Sequence, residues 1–291
     1  MGSQESFIQI KPNVWKWTVN RREYSVKKYD SLDTAHKIRR IHHHLASVNF
    51  PHTLPLFDVK DENTIVQPWV SSAKPANFAN RNERQLSLGA IRSLHQTSDV
   101  INWEEKSYLK NYDVRHKWKE RLQRYIVHQK EIAGIIGEKE AESIRFYAEN
   151  ALERLKKTVP NNKECTLLHG DVVHHNFLKQ GDEVILIDFD LACLGPEEVE
   201  MALWMHRVLP HVDYRVEFLL EEQSDLKFKD PSYMFLLLYP NELLREWLYI
   251  ISLPNIKRQQ LIPRLKLFTA KALTSWPKLW YDVEKIVRRS I

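Results

Sequence analysis

The sequence predicts an α+β fold of two lobes, a small antiparallel-sheet lobe followed by a larger helical one. Three observations predict it. Strand-like alternation of apolar and polar residues dominates residues 1–70. From Glu83 onward, apolar residues recur at the three- and four-residue spacing of helices. The strand pattern then returns once, between Cys165 and Ile187. Strands grouped before helices argue α+β rather than a doubly wound sheet. The expected lobes are residues 1–70 and 71–291.

Phe7-Ile8-Gln9-Ile10 reads as a strand ending at Pro12. Val14-Trp15-Lys16-Trp17-Thr18-Val19 alternates, Asn20-Arg21-Arg22 turns, and Glu23–Tyr29 returns as the second arm of a hairpin. Ser31 or Asp33 then caps a helix through Ala35, Ile38, Ile41 and Leu45, which stops before Pro51. Leu54–Val59 and Thr64–Val70 complete the sheet. Ser71–Asn80, polar and aperiodic, is the expected linker. The helical lobe opens with Leu86, Leu88, Ile91 and Leu94. A long helix with Trp118, Leu122, Tyr125 and Ile126 on one face follows, then one from Ile144 to Leu155 ending near Pro160. Cys165–Leu168, Phe177–Lys179 and Val184–Ile187 are short strands, the last two folded back by Gly181-Asp182. Helices resume over Glu197–Leu209, Met234–Leu238, Glu242–Ile251 and Leu261–Trp276.

Composition sets outer bounds on function. Apolar content of 43% and charged content of 28% are those of an ordinary globular protein. The net charge of +5 comes from Lys and Arg interleaved with Glu along the chain, not from a basic stripe, so nucleic acid is not an expected partner. A mild positive excess suits a protein that holds a polyphosphate. Two cysteines imply no disulfide framework and fit a reducing, cytoplasmic setting. No apolar run reaches membrane-spanning length and no signal-peptide core is seen, so no membrane association is expected. Met1-Gly2-Ser3-Gln4-Glu5-Ser6 matches the N-myristoylation pattern, but the pattern is short and acylation is not expected. No signal for oligomeric state is present.

The chemistry is concentrated in His169-Gly170-Asp171-Val172-Val173-His174-His175-Asn176 and Ile185-Leu186-Ile187-Asp188-Phe189-Asp190. Asp171, Asn176 and Asp188 sit on a loop and a strand end, each behind an apolar run. Phosphoryl transfer needs one carboxylate to accept a hydroxyl proton, and an amide and a second carboxylate to hold Mg²⁺ on the phosphates. A lone HxD or a lone DFD is common; the two at this spacing are a specific pair. HGDxxxxN followed by an apolar run and IDFD resembles the aminoglycoside phosphotransferase and choline kinase family, which shares the protein-kinase-like fold. Leu88–Gln96 resembles that family's Leu-x-x-Leu-His helix, and Leu236-Leu237-Leu238-Tyr239-Pro240 is similar to its spore-coat-associated branch.

The resemblance implies Asp171 as the base that orients the acceptor hydroxyl, with Asn176 and Asp188 as Mg²⁺ ligands and ATP or another nucleoside triphosphate as donor. Asp190 is either a second-metal ligand or a surface carboxylate. His169 is expected to hold the loop. His174 and His175 lack further ligands for a zinc site, and His42, His43 and His44, consecutive on a helix, cannot share one face. Lys27, in Tyr24-Ser25-Val26-Lys27, resembles the strand lysine of kinases that steadies the α- and β-phosphates. Ser25 shares its face and leaves room for adenine; Gln67, on the last strand, completes the nucleotide set.

Two features depart from the pattern. The phosphate loop expected between the hairpin strands, Val19–Glu23, contains no glycine. The helix after Lys27 offers no glutamate to pair with it: Thr34–Phe57 contains no acidic residue and Asp33, the nearest candidate, lies early, which leaves Lys27 either held by another acid or free. The expected activity is an ATP- and Mg-dependent phosphotransferase acting on a hydroxyl of an aminoglycoside-, choline- or sugar-like small molecule. The alternative is a binding or scaffold protein that kept the fold and lost activity. For a cationic acceptor, the acidic runs Glu197–Glu200 and Glu221–Asp225 and a cage drawn from Trp204, Trp247, Trp276 and Trp280 are candidates, though solvated faces and core packing are the commoner fates of such residues.

Overall fold

The computed structural model describes residues 5–158 and 164–290. Met1–Gln4 of the acylation pattern and the helix end expected near Pro160 lie outside the described residues. The chain forms two compact units: Met1–Asn111 with Cys165–Glu197, and Tyr112–Glu164 with Glu198–Ile291. The helix that opens near Glu83 and the segment returning at Cys165 thus fold with the N-terminal strands.

The first unit is built on a four-stranded antiparallel sheet, β1 (Glu5–Lys11), β2 (Val14–Val19), β3 (Arg22–Lys28) and β4 (Thr64–Pro68), in that order. Val19 pairs with Arg22, so Asn20-Arg21 is a two-residue turn, with φ of 50° and 62°. That is the type I′ turn whose twist matches hairpin strands. Asn adopts positive φ readily; Arg21 does so at a cost.

The register overturns one expectation. Lys27 pairs with Val14 at the far end of the same hairpin, and the Lys28 amide donates to the Asn13 carbonyl at 2.9 Å. Five residues of strand, about 17 Å, separate Lys27 from Arg22 at the Asn20-Arg21 turn. The turn beside Lys27 is Pro12-Asn13, between β1 and β2. It too lacks glycine, and Asn13 supplies the positive φ of 61°.

Helix α1 (Leu32–Ser47) is capped by Ser31, whose Oγ accepts from the Thr34 amide, and buries Ala35, Ile38, Ile41, His42 and Leu45. The strand expected over Leu54–Val59 does not form: a single bridge joins Phe57 to Val66. Pro55 within the run has no amide to donate to a ladder. The expected linker Ser71–Asn80 carries a short strand, β5 (Lys74–Pro75). Asn80 caps α2 (Arg81–Gln96). After the return at Cys165 come β6 (Thr166–Leu168), the hairpin of β7 (Phe177–Gln180) and β8 (Glu183–Leu186), and β9 (Cys193–Gly195). β5 pairs with β7, and β6 with β9. The β7–β8 hairpin turns at Gly181, φ 60°, as the Gly-Asp pair predicts.

The second unit is helical: α3 (Val114–Ile136), α4 (Glu138–Thr158), α5 (Glu197–Val208), α6 (Val216–Glu222), α7 (Asn241–Ser252) and α8 (Asn255–Ser290). Pro231–Leu238 is a 3₁₀ segment rather than an α-helix. The last helix runs well past Trp276, with Pro263 and Pro277 inside it. Its core is aromatic. Trp118 stacks on Tyr239 at 4.4 Å and 7°, and Tyr239 donates to the Trp118 carbonyl at 2.8 Å. Trp247 donates to Thr269, and Trp276 to the Leu238 carbonyl. Trp204, Trp247 and Trp276 are buried, so three of the four tryptophans considered for a cage serve the core. Glu198 and Glu200 are buried as well, not spread on a solvated helix face.

Candidate active site

The site residues predicted from the sequence lie in the first unit. After β6 the chain enters a loop organised by His169, which is buried. Its Nε2 lies 2.9 Å from the Ile187 carbonyl, so Nε2 carries the proton, and Nδ1 faces the Asp171 amide at 3.4 Å. The ring packs against Phe189 at 4.7 Å. His169 therefore holds the loop, as expected. Gly170 makes the approach possible. Its φ is 81°, and a Cβ there would lie 2.1 Å from the Leu191 carbonyl oxygen.

Asp171 and Asn176 are in direct contact. The Asn176 Nδ2 donates to the Asp171 carbonyl at 2.9 Å and to its carboxylate at 3.2 Å. A 3₁₀ turn over His174–Asn176 sets this geometry, closed by the Asn176 amide on the Val173 carbonyl. With Nδ2 turned to Asp171, the amide oxygen is the end of the side chain left to meet a cation. The Ile187 amide donates to the Asn176 carbonyl at 3.0 Å, which brings the end of β8 alongside. The next residue, Asp188, has φ 69° and ψ 64°, a left-handed conformation that a non-glycine residue adopts only under constraint.

Lys27 bridges two carboxylates, Asp188 Oδ1 at 2.8 Å and Asp190 Oδ2 at 2.6 Å. The other Asp190 oxygen accepts from the Tyr29 hydroxyl at 2.7 Å, and the lysine ammonium lies over the Tyr29 ring at 4.9 Å. Lys37, on α1, donates to the backbone carbonyls of Asp190 at 2.7 Å and Ala192 at 3.2 Å. The two carboxyls shift in opposite directions. Burial pushes Asp188 up, but its hydrogen bond and charge attraction to Lys27 outweigh this and hold it below the usual carboxylate range. Burial and the neighbouring Asp188 charge raise Asp190, with Lys27 and Tyr29 offsetting only part. Burial, with the Asp190 charge, raises the Tyr29 phenol. Burial lowers Lys37.

Ser25 and Gln67 face each other across β3 and β4. Strand alternation places Ser25 on the face that carries Lys27. Three contributors escaped the sequence. Tyr29 lies two residues past Lys27, an alternation signal that was available. Lys37 lies on α1, whose acidic residue, Asp33, sits in its first turn. Lys11, at the end of β1, is close enough to lower the Asp188 pKa. The β1 register shifts between Gln9 and Lys11, which no sequence pattern announces.

An oxygen-only set of one amide and one carboxylate fits Mg²⁺, which takes few protein ligands and fills its shell with phosphate and water. The available Asn176 amide oxygen is the observation that supports it. Among the described residues, no group of three His, Cys, Asp or Glu side chains is placed to hold a metal. His174 packs on His175 and Phe78. His42 is buried against Phe189, and His44 packs on Trp103.

The model of the phosphotransferase enzyme family (APH) matches residues 9–215, about seven-tenths of the chain. The chain belongs to this family. The fold of the phosphotransferases recurs in solved structures. An aminoglycoside phosphotransferase from Alicyclobacillus acidocaldarius superposes with a TM-score of 0.71 at 16% identity, over 97% of this chain and 92% of that one. The AMP-bound spectinomycin phosphotransferase APH(9)-Ia gives 0.64 at 13%, over 91% and 92%. The choline kinase LicA of Streptococcus pneumoniae gives 0.54 at 11%, over 98% and 95%. No curated protein matches the sequence. At these identities the structures establish the protein-kinase-like α+β fold of the family and leave function to the site. Among the described residues, no helix is long and apolar enough to cross a membrane.

Proposed function

We propose that this protein is an ATP- and Mg-dependent phosphotransferase that phosphorylates a hydroxyl of a small molecule, of the aminoglycoside, choline or sugar type. The contact of Asp171 with Asn176, set beside Asp188 and Lys27, carries the reading. Asp171 orients the acceptor hydroxyl and takes its proton. A loose transition state demands little early proton removal, so the role is mainly positional. Asn176, through its amide oxygen, and Asp188 would hold Mg²⁺, which when bound neutralises charge on the phosphates. Lys27 binds the α- and β-phosphates, and Ser25 and Gln67 line the nucleotide side. Residues 1–70 thus supply the nucleotide-binding lobe, and the loop after β6 supplies the base. Thiols without a disulfide fit a cytoplasmic protein.

The deciding experiment is thermal unfolding with and without Mg-ATP, for the parent and Asp188→Asn. At about 100 times its dissociation constant, a ligand adds roughly 2.7 kcal/mol. A Mg-dependent rise in Tm that Asp188→Asn abolishes is expected. No rise in either protein would favour a second reading, a binding protein on the same fold, for which the glycine-free turn at Pro12-Asn13 is the supporting observation.

A further inference from the structure

Kinase-like sites need a counter-ion to hold the phosphate lysine, and the usual one is a helix glutamate. Here α1 contains no glutamate, and its one acidic residue, Asp33, is exposed in its first turn. The charged side chain that α1 brings to Asp190 is a cation, Lys37, which grips the Asp190 and Ala192 carbonyls. Lys27 is instead held by Asp190, at 2.6 Å. Both Asp190 oxygens are committed, one to Lys27 and one to Tyr29.

Asp188 also touches Lys27. If Asp188 serves a metal, Lys27 has to share that carboxylate with it, because the ammonium already lies on Oδ1. Asp190 has no such conflict. We infer that Asp190, fixed by the Tyr29 hydroxyl and by Lys37 on its backbone, is the positioning residue that takes the place of the helix glutamate. It holds the Lys27 ammonium at the phosphate position while Asp188 is released to the metal, and it is not itself a metal ligand. This rests on the nucleotide and Mg²⁺ reading given above. Without Asp190, Lys27 would fall back on Asp188 and compete with the metal there.

A double-mutant cycle of Lys27→Met and Asp190→Asn separates the possibilities, because residues that act as a unit are not additive. It is read first by calorimetric titration with Mg-ATP. Asp190→Asn alone should weaken binding roughly tenfold, but less than about twofold on the Lys27→Met background. Asp190→Glu should recover most of the loss, and Tyr29→Phe should reproduce part of it. An equal loss from Asp190→Asn on both backgrounds would overturn the inference, because Asp190 would then act on the metal independently of Lys27. The same cycle is read by urea unfolding without nucleotide. Non-additive midpoints are expected, and additive ones would overturn the pairing. Should the parent protein bind no Mg-nucleotide, the proposed function fails, while the unfolding cycle still decides whether Asp190 is the partner of Lys27.

Discussion

His206 shows how far burial shapes single residues in this chain. It is fully enclosed, and desolvation pushes its pKa from 6.5 down to about 4, against small opposing pulls from Glu242 and the Leu236 carbonyl. The ring is neutral and donates from Nε2 to that carbonyl at 3.1 Å. His42, buried against Phe189, is likewise lowered to about 4. The folded pKa lies below the unfolded one, so the unfolded chain takes up the proton first. The stability each ring contributes is present above pH 6.5 and is lost as pH falls toward 4. The shift corresponds to about 3 kcal/mol per histidine. Urea unfolding across pH 7 to 4 should show this loss, and His206→Gln should flatten the slope in that window. An unchanged slope would mean the ring is protonated inside the fold. Arg21 makes a second case. Its φ of 62° in the β2–β3 turn carries a cost that glycine avoids. Arg21→Gly should raise the unfolding free energy by up to about 1 kcal/mol, and because the turn lies far from Lys27, nucleotide affinity should not change.

The loop between β6 and β7 depends on one close approach. Gly170→Ala would place a methyl group in contact with the Leu191 carbonyl and force a residue with φ 81° to carry a Cβ. A destabilisation above about 2 kcal/mol is expected, with loss of Mg-nucleotide binding, because Leu191 belongs to the turn that carries Asp188 and Asp190. Unfolding and calorimetry on the same preparation would check both. In α8, Pro277 is exposed and has no amide to offer the preceding turn. Pro277→Ala should stabilise the protein, by at most about 3 kcal/mol. The two elements also show what the sequence could reveal. Asp171, Asn176 and Asp188 were legible because the loop and the strand end that hold them are short, contiguous and backed by apolar runs. The partner of Lys27 was not, because Asp190 lies 163 residues away and only tertiary packing brings them together. The turn beside Lys27 was misplaced because choosing it requires the three-strand register rather than any one strand. The end of α8 was misread at Pro277 because tertiary burial of Leu279, Val283 and Val287 outweighs the local cost of proline.

The chain leaves the first unit after Asn111 and re-enters it at Cys165, and the nucleotide and metal candidates come from both passes. Lys27 arrives with the first pass, and Asp171, Asn176, Asp188 and Asp190 with the second. A ligand that engages Lys27 and Asp188 together therefore ties two stretches that are distant in sequence but share one compact unit. Mg-ATP should slow amide hydrogen exchange in both at once, in β3 and in the segments 169–177 and 187–192, which carry the site's backbone hydrogen bonds. The two responses should share one nucleotide concentration dependence, since a single binding event stabilises both, and Asp188→Asn should remove both together. Slowing confined to β3 would mean that nucleotide rests on the sheet without engaging the carboxylates. In that case Asp171, however well placed beside Asn176, would have no phosphate within its reach.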